Sequence, residues 1–355
     1  MHNMKIAIHH RPGSFSDRWI QYCEEKGISY LIVNAYDSDI VSQIKNCDAF
    51  MWHHHHGDYR DQLFAKSLIF ALESGGKIVF PNTSTCWHFD DKIAQKYLFE
   101  VLDIPSAKSH VYYDKKSASE FIQKTELPQV FKLKGGAGSA NVALIDTRNK
   151  GIRRIKKSFS RGYSSSNYLF SAKTNLELFL RKKTSFFNVI KYLALYLFPK
   201  KFNVHLLPRH KGYFLTQDFI PNEGYDIRVV VIGDRAFAVK RNVRKQDFRA
   251  SGSGLIESQK ELFSQELIAK SFNISDKLRM QICSFDFVRN ANTGEFLLIE
   301  ISYGTCYRIY ANCEGYWTRD LSWHHEIFDP RDWIVDIVID KIQSNKITTD
   351  PQITL

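Results

Sequence analysis

The stretch SFDFVRNANTGEFLLIEIS, residues 284–302, decides the reading of this chain. Two apolar-rich runs flank Asn292-Thr293-Gly294, a turn-forming segment, and predict a β-hairpin. Alternation puts Phe285 and Phe287 on one face of the first arm and Asp286 on the other; on the second arm Leu298 and Glu300 are expected to share a face. Carboxylates on adjacent strands can converge on a hard cation such as Mg2+, which prefers oxygen ligands and bridges to substrate phosphates. A polar strand face turned to solvent has the same pattern, so the remainder of the chain must decide between them.

With 355 residues, 44% of them hydrophobic and 14% aromatic, the chain has material for two or three domains and a large core. The start, Met1 to Ile6, is too short and polar for a signal peptide. No apolar run reaches the roughly 18–20 residues of a membrane span. The six cysteines are scattered without a CxxC pair. That pattern suits reduced thiols in a cytoplasmic protein and argues against zinc. The net charge of +11 is unevenly placed: Lys150 to Lys211 holds fifteen Lys or Arg against Glu177 alone, or +14, so everything else sums to −3.

Strands are expected at 4–10, 30–34, 49–53 and 77–80, with helices at 16–26, 40–46 and 61–74. This alternation predicts an open parallel sheet with helices on both faces, ending near residue 84. Residues 85–345 then read as α+β: a helix at 90–102, strands at 109–113, 129–133 and 141–146, the basic segment 150–211, strands at 212–220, 226–232 and 236–242, a helix at 260–272, the hairpin, and a last helix at 333–342. The tetra-histidine His53–His56 follows a strand, where side chains point into a ligand crevice. A ligand-lining or solvated loop is expected there rather than a metal site, because adjacent histidines cannot all face one ion.

Four further motifs line up with the acidic pair. Lys92 opens a helix. Lys132 ends a strand that runs into Gly135-Gly136-Ala137-Gly138-Ser139, a turn whose N–H groups can approach phosphates. Gln217-Asp218-Phe219-Ile220 precedes Glu223 and Asp226-Ile227-Arg228. Lys240-Arg241 precedes Asp247-Phe248-Arg249. Arginines on strand ends near a metal suit a phosphoryl group in transfer, with structural ion pairs as the alternative.

In this order the motifs resemble the ATP-grasp superfamily over about residues 82–310, nearest the branch with the ribosomal-protein glutamate ligase and the D-alanine–D-alanine ligases. The tail at 300–333 resembles a polysaccharide-biosynthesis subgroup. The resemblance implies two α+β subdomains clasping ATP, with a lid at about 106–216. It implies that Lys92 and Lys132 hold the phosphates and that Gly135, Gly136, Gly138 and Ser139 close over them. Gln217, Asp218, Phe219 and Ile220 would meet adenine, and Glu223 or Asp226 the ribose. Arg228, Arg241 and Arg249 would orient the γ-phosphate and an acyl phosphate, and Asp286 and Glu300 would bind Mg2+. Ser302 stands where the family usually has Asn, so a second ion would be held by a hydroxyl, held weakly, or absent.

The implied reaction is ADP-forming carboxylate–amine ligation. The expected substrates are a small-molecule or lipid-linked glycan and an amine or amino acid. A peptide-tailing ligase on a protein terminus and a non-catalytic ATP-binding module remain alternatives. Residues 186–198 form an almost continuous apolar run with Lys182-Lys183 before it and Lys200-Lys201 after it. Too short to span a bilayer, the run fits contact at the inner membrane face through 182–201, or packing on the lid or a dimer partner. Nucleic acid is the least expected partner. Tyr303, Tyr307, Tyr316, Trp317, Trp323, His324 and His325 are candidates for the acceptor side, core packing being expected for half of them.

Overall fold

The computed structural model describes residues 4–136, 141–165, 167–182, 184–244, 248–250 and 253–349. Lys5–His9 (β1), Ser29–Val33 (β2), Ala49–Met51 (β3) and Ile78–Phe80 (β4) make a parallel sheet ordered β2-β1-β3-β4. Parallel neighbours need long crossovers, here Phe15–Lys26 (α1), Ile40–Gln43 (α2) and Lys66–Ser74 (α3). The helix expected over 61–74 begins with a π-helical turn, Asp61–Ala65. The Asp61 carboxylate accepts hydrogen bonds there from the Tyr36 hydroxyl (2.5 Å) and the His55 N–H (2.6 Å). Thr83–Cys86 (α4) and Lys92–Val101 (α5) lead out of this domain.

The next body is an antiparallel sheet of Ser109–Tyr112 (β5), Gln129–Lys132 (β6), Ala143–Ile145 (β7) and a later strand, Phe214–Asp218 (β10), ordered β5-β10-β6-β7. Lys115–Lys124 (α6) and Arg148–Ser158 (α7) cover it, burying Ala118, Ile122, Phe131, Ile145, Ile155 and Phe214 in a core of their own. The basic segment expected as one insert from residue 150 is therefore two things. Its first part is α7, whose Ile155 is core and whose cations face out. The excursion proper is a short ribbon of Tyr163–Ser164 (β8) and Arg209–His210 (β9) carrying a hairpin of Tyr168–Leu180 (α8) and Phe186–Leu197 (α9).

Tyr225–Ile232 (β11), Arg235–Asn242 (β12), Ile256–Glu257 (β13), Ile282–Arg289 (β14), Phe296–Ser302 (β15), Tyr316–Thr318 (β16) and Trp323–His324 (β17) form the third sheet. Its order is β15-β14-β11-β12-β16-β17, with β13 beside β12. Gln265–Leu278 (α10) and Pro330–Thr349 (α11) pack on it, and α11 also meets α1, where Arg18 grips Asp332 at 2.6 and 2.7 Å. The edge strand β15 is covered: Gln95 of α5 exchanges two hydrogen bonds with the Ile301 backbone, and Ala107 N–H donates to Leu298 O. Covering spares the edge from pairing with another chain.

One expectation about the hairpin fails. Its register shifts between Asp286 and Phe287, so Asp286 pairs with Glu300 while Phe287 pairs with Leu298. A bulge at Ile299 absorbs the extra residue and inverts the alternation. Leu298 therefore joins Phe285 and Phe287 in the core, and Glu300 stays with Asp286 on the opposite face.

Candidate active site

The open face of the third sheet carries a row of charges set by strand register. Glu300, Asp286 and Arg228 are direct neighbours across β15, β14 and β11, and such pairs have Cβ atoms about 5 Å apart. Arg228 donates to both Asp286 oxygens, from Nε at 2.6 Å and from a terminal nitrogen at 2.8 Å. Arg241 on β12 reaches the same carboxylate at 2.9 Å while holding Asp226 at 2.6 and 2.8 Å. Burial works against the charge on Asp286, but Arg228 and Arg241 hold its carboxyl well below the usual range. Asp226, expected near a ribose, is instead buried beside Arg241 and fixes that guanidinium toward Asp286.

Two lysines meet this row from the other side. Asp91 caps α5 by accepting from the Ile93 and Ala94 N–H groups, which places Lys92 in the first turn. Lys92 Nζ lies 2.9 Å from a Glu300 oxygen and donates to Gly136 O at 3.1 Å. Burial opposes its charge; Glu300 and Asp90 more than offset this and raise its pKa. Lys132 donates to Gln217 Oε1 at 2.6 Å and to Ile299 O at 3.1 Å. The bulge thus turns a strand carbonyl onto a lysine of the facing sheet. For Lys132 burial wins, and its pKa falls to about 8.

Around the lysines the described contacts are tight. The Gln217 amide donates to Ala107 O and Ser109 Oγ at 3.2 Å. Asp218 is held within its own sheet, where His110 of β5 and the Gln129 amide of β6 each meet it at 2.9 Å. Phe219 and Ile220 lie in the connection between β10 and β11, and Glu223 is exposed on the turn closed by Gly224, whose φ is +80°. Gly136 N–H donates to Asp90 Oδ1 at 2.7 Å, and Gly135 sits so close that an added Cβ would lie 2.8 Å from the other Asp90 oxygen. Gly138 and Ser139 fall outside the described residues. Arg249 reaches Val142 O at 3.3 Å and lies over the Phe170 ring at 4.6 Å. The Ser302 hydroxyl donates to Gly304 O at 3.2 Å.

Sequence reasoning missed two contributors. Asp90 anchors the glycine turn, and its only signal is a second acid beside the cap residue. The Ile299 carbonyl is presented by a bulge, which no alternation pattern reveals. The histidine run divides its labour. His53 stacks on Phe15 at 3.8 Å, the His54 carbonyl accepts from Tyr303, and His55 Nδ1 accepts from Gly57 N–H at 2.9 Å. Desolvation lowers His54 and His55 to about 3 and lowers His56 too. Among the described residues no cluster of three or more His, Cys, Asp or Glu is arranged to hold a metal. Of the aromatic candidates, Tyr303 and Trp317 are core, and Trp323 packs on Trp317.

A magnesium-bound triphosphate fits this donor set. Asp286 and Glu300 are adjacent oxygen donors of the kind Mg2+ takes. Lys92 and Lys132 are both buried beside them, and Lys132 carries a charge penalty that an arriving anion would remove.

Residues 201–307 match the RimK-like ATP-grasp domain. Solved structures share the fold: a RimK domain ATP-grasp protein from Sphaerobacter thermophilus (15% identity, TM-score 0.57, covering 94% of this chain and 99% of that one) is among them. So are the ATP-grasp ligase PsnB in complex with a minimal precursor (12%, 0.56, 94% and 98%) and the D-alanine–D-alanine ligase of Bacillus anthracis (11%, 0.55, 98% and 100%). No curated protein gives a significant match. Residues 201–307 thus match the RimK-like ATP-grasp domain, and over nearly its whole length the chain shares the fold of the solved ATP-grasp ligases.

Proposed function

We propose that the protein activates a sugar-borne or amino-acid carboxylate with ATP and joins it to an amine during surface-polysaccharide synthesis. The carrying observation is the continuous row Lys92–Glu300–Asp286–Arg228. Magnesium-bound ATP supplies the phosphoryl group that turns a carboxylate into an acyl phosphate. Lys92 and Lys132 place positive charge along the phosphates, and Asp286 and Glu300 supply oxygen ligands, with Ser302 on the same strand two residues further. Arg228 and Arg241, held by Asp286 and Asp226, stand ready to neutralise charge on the transferring group. Such fixed cations in a dry cleft stabilise developing charge without reorganising. Gly135 and Gly136 approach the phosphates, and Gln217 to Ile220 with Glu223 take the nucleoside. Arg249, held between Val142 and Phe170, orients the phosphate end when the turn closes.

The outer face of α8 and α9 supports work at a membrane. Phe187 is 69% exposed and Leu180 73%, and Lys182, Lys200 and Lys201 lie at the ends of these helices. No helix among the described residues is long and apolar enough to cross a bilayer, so the contact would be interfacial. A second reading, ligation onto a peptide, is favoured by the likeness to PsnB, whose structure holds a precursor. ADP release decides the function: turnover on pairing an amino acid with a uronate supports the first reading and turnover with a peptide alone supports the second. Tight ATP binding with no ADP under any pairing would sink both.

A further inference from the structure

A cavity of about 1280 Å3 opens between the histidine loop of the first domain and the α8–α9 hairpin, with the glycine turn at its inner end. Sites for single small ligands usually measure about 300–1,000 Å3, so this one has room for a chain of several units. Its wall is unusual. Ser171, Thr174 and Asn175 of α8 line it, at spacings of three and four that define one helix face, with Phe170 and Leu178 beside them. On the opposite face Leu169, Leu176 and Leu180 are exposed to solvent. Surface helices of globular proteins do the reverse, burying apolar groups. A helix that turns hydroxyl and amide groups inward is suited to contents that form hydrogen bonds.

The charge balance of the wall specifies more. Each acid there is engaged: Asp58 by Arg60, Asp91 by Lys134, Asp61 by Tyr36 and His55, and Asp90 by Gly136 N–H. Lys191, Arg209 and Lys211 line the same cavity with no acidic partner among the described residues. The surplus is cationic. The chamber borders the charged row, since Gly136 lines it and its carbonyl accepts from Lys92, the partner of Glu300.

We propose that this chamber binds the carboxylate substrate as an acidic saccharide, a hydroxyl-rich chain bearing uronate-type carboxylates. One carboxylate is led past Gly136 to Lys92. Polar α8 groups take the hydroxyls, Tyr192 offers a ring to a sugar face, and Lys191, Arg209 and Lys211 hold the remaining carboxylates. Only the delivery to Lys92 rests on the ligase reading.

The test is calorimetric binding to the full chain in the presence of Mg2+ and a non-hydrolysable ATP analogue. The probes are an oligogalacturonate, a neutral malto-oligosaccharide of equal length and an oligoglutamate. The oligogalacturonate is expected to bind at least tenfold more tightly than either other probe. The double variant Lys191→Glu/Lys211→Glu should lose at least tenfold in that affinity with nucleotide affinity unchanged. Should that variant lose nucleotide binding as well, Asn175→Leu, which removes polarity without altering charge, carries the test with the same expected loss. No saccharide binding at millimolar concentration, equal binding of the neutral chain, tighter binding of the peptide, or full affinity in the nucleotide-competent variant would overturn the proposal. Because the readout is binding, a protein that holds the saccharide but releases no ADP refutes the ligase reading and not the chamber.

Discussion

Arg228 stands directly opposite Asp286 across β11 and β14 and closes on its carboxylate with hydrogen bonds of 2.6 and 2.8 Å. Arg241 approaches the same carboxylate at 2.9 Å. Asp286 is thus the shared counter-ion of two guanidinium groups, and in the proposed function it also offers an oxygen to Mg2+. Asp286→Asn is expected to abolish Mg2+-dependent ADP release and to destabilise the fold. Removing one member of a buried ion pair costs about 3–5 kcal/mol because the other is left uncompensated. Urea unfolding measures this, and an unchanged midpoint would remove Asp286 from the centre of the network.

Glu300 is more accessible than Asp286 and holds one lysine rather than two arginines. Its substitution should therefore act on metal more than on folding. Glu300→Gln is expected to erase most of the Mg2+ enhancement of ATP-analogue affinity, a loss of about tenfold, equal to about 1.4 kcal/mol. Binding in EDTA should change far less, since Lys92 gains freedom to meet phosphate. Equal losses with and without Mg2+ would show that Glu300 serves only to hold Lys92.

The charged row was legible in the chain because its members sit on β-strands, where residue type and spacing survive as short motifs. Asp286, Arg228 and Arg241 share one sheet face because β11, β12 and β14 pair regularly, and Glu300 of β15 joins them opposite Asp286. What escaped the reading depended on irregular backbone. The bulge at Ile299 turned Leu298 inward against the expected alternation. Asp90, at φ +53°, belongs to no motif in the sequence yet anchors the glycine turn. Composition also misplaced a boundary: cations on α7 look like those of the excursion, and only the burial of Ile155 separates them.

The clasp between Asp90 and the glycine turn predicts a non-additive pair. Gly135→Ala puts a methyl group 2.8 Å from the Asp90 carboxylate and should drive it from Gly136 N–H. ATP-analogue affinity should fall by about three- to tenfold, roughly the net worth of one ordinary hydrogen bond. In an Asp90→Gly background, where the positive φ is kept without strain and only the residue-90 carbonyl at 3.1 Å stays close, the alanine should cost clearly less. Coupling of this kind is what a double-mutant cycle detects, and additive losses would mean that the turn is held by something else.

Lys132 sets the pH behaviour. Its pKa is about 8 in the free protein against an ordinary 10.5, so between those values the unfolded chain binds the extra proton. Stability from this group therefore rises with pH across that window, and the penalty for burying the charge is full below pH 8. Nucleotide binding runs the other way. Phosphates favour the ammonium form, so above pH 8 ATP must bring a proton with it. Affinity should fall by up to about tenfold per pH unit as long as the bound-state pKa lies higher. Calorimetry in buffers of different ionisation enthalpy should register proton uptake at pH 9 and almost none at pH 6.5. Lys132→Arg, charged throughout, should flatten the profile over this range. A wild-type affinity that is level from pH 7 to 9.5 would mean that Lys132 does not meet the nucleotide as a cation.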